Sequence, residues 1–241
     1  MGSNWLEKPL GGLVSYIARG VAPKYTDGDN PDAVMMLGQR CVRKAGLDVA
    51  QSRLHDSAAK RVKAEKYVRL YDILITATGV GCAGRVSQVL KPLPEGTLTD
   101  SHVLTLRAEG IDPVYLGYFV KSKQHMLELM AEGSTGQTEM NKTRVQEEIL
   151  VTYPEDEGAQ KLIADTLLTI DEKIDLNARL NDYLAASSRF FQEAHPCSRS
   201  THYYEAVIPP PLFHLSCRSM NPLVFCGSDS SFVLGSEQLC R

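Results

Sequence analysis

The stretch of this 241-residue chain best suited to chemistry is a glycine turn, Gly79-Val80-Gly81-Cys82-Ala83-Gly84. Its G-x-G-x-x-G spacing follows an apolar, β-branched run, and Asp100 lies about twenty residues on, as in turns that hold a dinucleotide. There the glycines cradle a pyrophosphate at a helix N-terminus and the acid binds a ribose. That chemistry needs a helix opening in the turn, yet only Arg85–Leu90 separates it from Pro92 and Pro94. A crossover helix does not fit in so short a span. A strand, a glycine turn and a returning strand fit better, the glycines allowing positive φ or close backbone approach. Thr76, Thr78 and Arg85 would then flank an exposed tip, and such residues contact phosphates and base edges.

A second polar loop, Gly133-Ser134-Thr135-Gly136-Gln137-Thr138, is followed by Lys142 and Arg144. It offers hydroxyls, an amide and free backbone N–H groups to a nucleic acid, but Gly133 could equally be an ordinary helix C-cap. His55-Asp56 and Asp100-Ser101-His102 suggest a catalytic triad, but no G-x-S-x-G elbow accompanies them and both read as structural. Pro31-Asp32 with Asp171-Glu172-Lys173 imitates a metal nuclease, although the second group suits the solvated face of a helix. The Pro209-Pro210-Pro211 run follows Ile208 and so lacks the Asn or Asp of a DNA-methylating site. No catalytic constellation and no metal site is expected. Cys41 and Cys82 read as small buried residues, and Cys197, Cys217, Cys226 and Cys240 contain no C-x-x-C.

The elements that position these residues are mixed. Short strands are expected within Trp5–Ile17, Ala33–Leu37, Gln39–Arg43, Asp72–Thr76, Arg85–Leu90 and Leu98–Arg107. Leu54–Arg69 reads as a short helix or a strand with an excursion. Pro113–Ala131 reads as one amphipathic helix ending at Gly133, and Lys142–Ile149 as a short helix or strand. After Pro154 comes a long helical stretch, Gly158–Phe191, with no internal proline or glycine. Its apolar residues recur at steps of three and four. A 3.5-residue seam runs through Ile163, Leu167, Ile170, Ile174, Asn177, Asn181 and Leu184, with Leu180 beside it; seam asparagines fix register and partner number. The spacing predicts a helix about 50 Å long that needs a second helix. These features imply an α+β fold in three parts: a mixed domain over 1–155, a helix over 156–192 and an irregular tail over 193–241.

The net charge is −3. Arg40–Lys91 nevertheless holds 11 basic and 4 acidic residues, whereas 156–192 holds 4 and 7. A basic lobe suits a polyanion and an acidic helix suits a protein partner, although a solvated surface explains the charges as well. No run is apolar or long enough to span a membrane, and the N-terminus lacks the layout of a secretory signal, so a cytoplasmic location is expected.

Several segments together resemble the specificity subunit of type I restriction-modification systems. They are Tyr16–Tyr25, Ala50–Asp56, Asp72–Val86, Asp100–Val103, Gly133–Thr138 and Leu162–Asn181, in order within roughly Trp5–Phe191. The resemblance implies a non-catalytic target-recognition domain that reads one half of a bipartite double-stranded DNA site. It implies that the long helix pairs with another, sets the half-site spacing and docks methyltransferase subunits. S-adenosylmethionine, ATP and Mg would be used by partner subunits, among them a restriction/translocase subunit, with no cofactor in this chain. Full-length members carry two recognition domains and two helices. One of each here implies a half-subunit that forms a homodimer through residues 163, 167, 170, 174, 177, 180, 181 and 184.

Carried onto this sequence, the resemblance places Lys24, Tyr25, Thr78, Gly79, Arg85, Ser101, His102, Ser134, Thr135, Gly136, Gln137, Lys142 and Arg144 against DNA. Gln137 and Arg85 are the expected base readers; Lys24, Lys142 and Arg144 are the expected phosphate contacts. Two other readings stand beside this one: a nucleotide-binding enzyme using the Gly79–Gly84 turn, and a coiled-coil adaptor that binds only protein.

Overall fold

The structure is a computed structural model that describes residues 4–59, 62–131 and 140–194, with side chains as far as Ser188. In chain order the strands are β1 (Trp5–Pro9), β2 (Val14–Arg19), β3 (Tyr25–Thr26), β4 (Ala33–Leu37), β5 (Val42–Arg43), β6 (Gly46–Leu47) and β7 (Arg53–Asp56). β8 (Ile73–Thr76), β9 (Val86–Gln88), β10 (Leu98–Thr99) and β11 (Val103–Ala108) follow. Then come α1 (Pro113–Ser122), α2 (Gln124–Ala131), α3 (Lys142–Glu148), β12 (Leu150–Pro154) and α4 (Glu157–Ala194).

β8 is the pivot. All four of its residues are buried, as its β-branched, apolar run requires of a strand covered on both faces. It lies between β11 and β9 in an antiparallel sheet of order β2-β11-β8-β9. Strand alternation sorts this sheet's side chains into two cores. Ile73, Ile75, Leu104 and Leu106 join Leu116, Val120, Leu127 and Val145 from the three short helices. Leu74 and Val103 point the other way and pack with Leu37, Cys41, Val42 and Val89. Each fully buried Leu or Ile stabilises by about 1.5–3 kcal/mol, so a one-residue slip of β8 would disrupt both cores. A second sheet, of order β10-β4-β7-β3, has one parallel pair, β10 with β4.

An ion pair is buried between the sheet and the loop before it. Arg107 on β11 donates from Nε and Nη2 to the two Asp72 carboxylate oxygens at 2.9 and 2.7 Å. Nη2 also donates to the Tyr67 carbonyl at 3.1 Å, and the guanidinium lies 5.1 Å from the Tyr16 ring centroid.

β1 pairs antiparallel with β12, from Trp5↔Pro154 to Pro9↔Leu150, so the domain's first strand closes on the strand that leads into α4. Asp156 caps α4 by accepting from Ala159 N at 2.9 Å. One turn on, the buried Gln160 accepts from Asp112 N at 2.8 Å and donates to the Pro154 carbonyl at 2.8 Å. It thereby ties α4 to the start of α1. Ala164 is buried in the core, and Asp171 accepts from the Tyr118 hydroxyl at 3.0 Å and from Lys121 Nζ at 3.4 Å. Burial, then the bond to Asp171, pushes the Tyr118 hydroxyl's pKa up. From Glu172 to Ala186 every side chain is exposed. At 1.5 Å per residue the whole helix is about 57 Å long. Residues Met1–Ser187 group as one unit, and beyond it the Ser188 side chain and the helical backbone to Ala194 are described.

The structure corrects several sequence expectations. Pro113–Ala131 is two helices, broken at Lys123, whose backbone N–H turns back to the Val120 carbonyl at 3.1 Å. Leu98–Arg107 is likewise two strands separated by the Asp100–His102 turn. Thr76 is fully buried inside β8, because its side chain shares the face of Leu74 rather than the tip of the hairpin. Cys41 is buried as expected, but Cys82 is only half-buried. Ser134–Gln137 and the tail from residue 195 lie outside the described residues.

Candidate nucleic-acid interface

The glycine turn is the hairpin loop between β8 and β9, which pair antiparallel through Ile73↔Gln88, Leu74↔Ser87 and Ile75↔Val86. No helix opens in it, so the dinucleotide geometry is not built. Gly79 and Gly84 show why glycine is needed. Gly79 has φ of 107°, and a Cβ there would meet Cys82 Sγ and Gln39 Oε1 at 2.6 and 2.8 Å. Gly84 has φ of 87° and lies against the backbone of Glu128 on α2. These are the positive φ and close approach expected of a hairpin. Val80, at the tip, is 89% exposed. Arg85 does not reach outward with all its donors: Nη2 donates to the Gly81 carbonyl at 2.7 Å.

Beside this turn the structure forms a polar cleft of about 330 Å³, lined by Tyr25, Met36, Gly38, Gln39, Arg40, Gln51, Arg53, Asp100 and His102. Three loops and the second sheet converge here. The turn Gly38–Cys41 carries Gln39 and Arg40 and closes by Cys41 N donating to the Gly38 carbonyl at 2.9 Å. The short 3-10 turn Val49–Gln51, capped by the Asp48 side chain, delivers Gln51 and then Arg53 at the start of β7. β3 pairs Tyr25 with His55, which makes Arg53 and Tyr25 diagonal cross-strand neighbours. The Arg53 guanidinium lies over the Tyr25 ring, 3.3 Å from its centroid. His55, buried, accepts from Lys24 N through Nδ1 at 2.9 Å and so fixes the entry to β3.

The fourth wall is the turn Asp100–Val103. Asp100 Oδ1 accepts from His102 N at 2.8 Å, and burial pushes this carboxyl's pKa above its ordinary value. His102 Nδ1 lies 2.7 Å from Thr78 Oγ1, which joins this turn to the glycine hairpin. Cys82 Sγ donates weakly to Gln39 Oε1 at 3.5 Å, which joins the hairpin to the Gly38–Cys41 turn as well.

Of the residues expected at DNA, the structure brings Tyr25, Thr78, Gly79, Ser101 and His102 to this region, with exposed Lys24 next to Tyr25. Lys142 and Arg144 sit on α3, which packs mainly on Leu10–Leu13 and β1, and Arg144 is paired with Glu148 at 2.6 Å. Sequence reasoning missed Gln39, Arg40, Gln51 and Arg53. Arg40 and Arg53 fell within the basic excess from Arg40 to Lys91, and Gln51 and Arg53 within the family-like segment Ala50–Asp56, but nothing in the sequence singled out Gln39. The triad-like residues do not assemble: His55 and His102 each hold a turn in place. Among the described residues no group of three or more His, Cys, Asp or Glu could hold a metal ion, and no helix is long and apolar enough to cross a membrane.

The description of a family, the type I restriction modification DNA specificity domain, matches residues 3–186. The chain belongs to this family. The fold agrees: the S subunit of a type I restriction-modification system from M. genitalium superposes with a TM-score of 0.52 at 17% identity over 76% of this chain and 43% of its own. A chain from a structure on complex assembly and conformational transition of the type I R-M system superposes at 0.55 and 15% identity, over 87% of this chain and 53% of its own. This specificity domain with its helix therefore spans about half the length of the solved chains it matches. No curated protein matches the chain in sequence.

Beyond Ile163, the seam residues of the specificity domain's helix have no partner among the described residues. Ile163 is half-buried on the domain, but Leu167, Ile170, Ile174, Leu180 and Leu184 are 36%, 48%, 60%, 51% and 55% exposed, and Asn177 and Asn181 are exposed with them.

Proposed function

We propose that this chain is a non-catalytic recognition component of a type I restriction-modification complex and reads one half of a bipartite double-stranded DNA site through the cleft between β3, β7 and the Asp100–Val103 turn. The observation that carries this is the cleft's content. It gathers Arg40, Arg53, His102, two glutamines and an aromatic face, with Lys24 at its edge, and among the described residues its only carboxylate is the buried Asp100. Arginine and glutamine are the side chains that pair bidentately with guanine and adenine in the major groove. A coiled-coil adaptor that binds only protein would leave this constellation without a role.

The second half of the proposal concerns α4. An exposed apolar stripe from Leu167 to Leu184, interrupted by Asn177 and Asn181, is stable in water only when another helix covers it. A second copy of the chain supplies that helix, and the homodimer then carries two recognition domains at a fixed spacing. Methyltransferase subunits dock on the paired helices and a restriction/translocase subunit joins them. S-adenosylmethionine, ATP and Mg serve those partners, in the cytoplasm where the DNA lies.

The test uses the full chain with its methyltransferase partner. Duplex DNA should bind with an affinity that falls steeply as salt rises, and light scattering should give a dimer that Ile170→Asp with Ile174→Asp abolishes. A complex that ignores duplex DNA at low salt would end the recognition reading. A dimer that survives both substitutions would end the helix reading alone.

A further inference from the structure

The constellation at the mouth of the cleft distinguishes one arginine from the others. Among the described residues Arg40 and Arg53 line it, and Arg85 belongs to the glycine turn beside it. Arg85 has one donor occupied by the Gly81 carbonyl. Arg40 stands exposed on a turn with no hydrogen bond or ring contact among the described residues. Arg53 is oriented with its donors free: its guanidinium carbon lies over the Tyr25 ring, 3.3 Å from the centroid, and its N–H groups make no hydrogen bond or ion pair among the described residues. Stacking uses the face of a guanidinium and leaves its donor edge free, while removing much of the rotamer freedom that a bare arginine loses on binding.

We propose that Arg53, held against Tyr25, is the residue through which this domain reads a guanine in the major groove. The assignment rests on the recognition reading above. Guanine presents O6 and N7 as paired acceptors, which the parallel N–H groups of a guanidinium fork match and a lysine ammonium does not. Phosphate is the competing target, and the setting separates the two. Arg53 lies inside a concave site beside Gln39 and Gln51, groups that suit base edges, whereas Arg40 stands on a turn and suits a backbone phosphate. The support is built in from both sides. His55 accepts from Lys24 N and fixes the residue before Tyr25, and β3–β7 pairing fixes Arg53 relative to that ring.

The experiment selects bound duplexes from a randomised pool, using the full chain assembled with its methyltransferase partner, and reads the preference at each base pair. The wild-type complex should prefer guanine at one position of each half-site by about 5- to 140-fold. Arg53→Ala should flatten that position, leave the others, and leave the dependence of affinity on salt nearly unchanged. Arg53→Lys should fail to restore the preference although it keeps the charge. Tyr25→Phe should keep the preference and Tyr25→Ala should weaken it. An unchanged motif in Arg53→Ala overturns the proposal. So does a uniform loss of affinity with a salt slope lower by about one, the signature of a phosphate contact, or full rescue by lysine. Thermal unfolding of each variant distinguishes these losses from misfolding, since Arg53 is exposed. A wild-type complex with no sequence preference at any position would instead remove the recognition reading itself, and this assignment with it.

Discussion

Two arginines in this domain lie against tyrosine rings, and their surroundings give them opposite tasks. Arg107 lies 5.1 Å from the Tyr16 centroid and Arg53 lies 3.3 Å from that of Tyr25. At Arg107 the donor edge is engaged, by both oxygens of the buried Asp72, by the Tyr67 carbonyl and, at 3.5 Å, by the Glu65 carbonyl. At Arg53 the donor edge is free among the described residues. An aromatic face orients a guanidinium in both places, so stacking does not mark function. What marks it is whether the in-plane donors are satisfied. A satisfied fork holds the loop Glu65–Asp72 to β11, and a free, oriented fork is prepared for a ligand.

The largest expected effect comes from breaking the satisfied fork. Arg107→Ala leaves the Asp72 carboxylate, whose side chain is 0% exposed, without its cation and deprives the Tyr67 carbonyl of a donor. Removing one partner of a buried pair costs about 3–5 kcal/mol. Urea unfolding of the variant should show a loss of that size, with the cleft losing function only because the domain unfolds. A loss below about 1 kcal/mol would mean that water reaches Asp72 and that the contrast with Arg53 is one of degree.

How much of this was legible in the sequence follows from how far apart the determinants lie. β8 was legible because four consecutive apolar and β-branched residues carry their own signal, and α4 because its period repeats over many turns. The glycine hairpin was legible by exclusion, since Pro92 and Pro94 leave no room for a helix. The break at Lys123 was not, because no proline or glycine marks it and a tertiary fit decides it. The cleft was legible only in part. Tyr25 and His102 were expected at DNA, but the partners that make a site with them come from the Gly38–Cys41 turn and from β7. Only the β4–β7–β3 pairing brings those segments together, and the stretch containing β7 read as either helix or strand. The closure of β1 on β12 joins residues at opposite ends of the domain, and no local pattern encodes it.

A smaller effect sharpens the comparison at the cleft's own buried acid. Burial holds the Asp100 carboxyl above its ordinary pKa, opposed by the bond from His102 N and the nearby His102 ring. The folded domain therefore binds this proton more tightly than the unfolded chain does. The cost of the charged form is present in full above the folded pKa, is relieved as pH falls through it, and is gone below the unfolded value. Asp100→Asn keeps an oxygen to accept from His102 N and carries no charge. It should raise stability at neutral pH, with the gain shrinking as the pH is lowered toward the ordinary carboxylate value. Unfolding midpoints measured across that range check the sign. A variant less stable than wild type at neutral pH would mean that Asp100 is held by a cation in the cleft, as Asp72 is by Arg107.

The smallest stability effect is expected where the functional effect is greatest. Arg53 is exposed, makes no ion pair among the described residues, and its side chain contributes to the fold only through its contact with one half-exposed ring. Exposed cation–π contacts are worth about 0.5–1 kcal/mol, and surface substitutions usually fall within about 0.5 kcal/mol. Arg53→Ala should therefore shift the urea midpoint barely, at least several times less than Arg107→Ala in the same buffer. A shift as large as that of Arg107→Ala would show that the stacked pair holds β3 onto β7, making Arg53 a structural residue. A negligible shift leaves its free donors with no task inside the domain, which is what a group reserved for a bound partner requires.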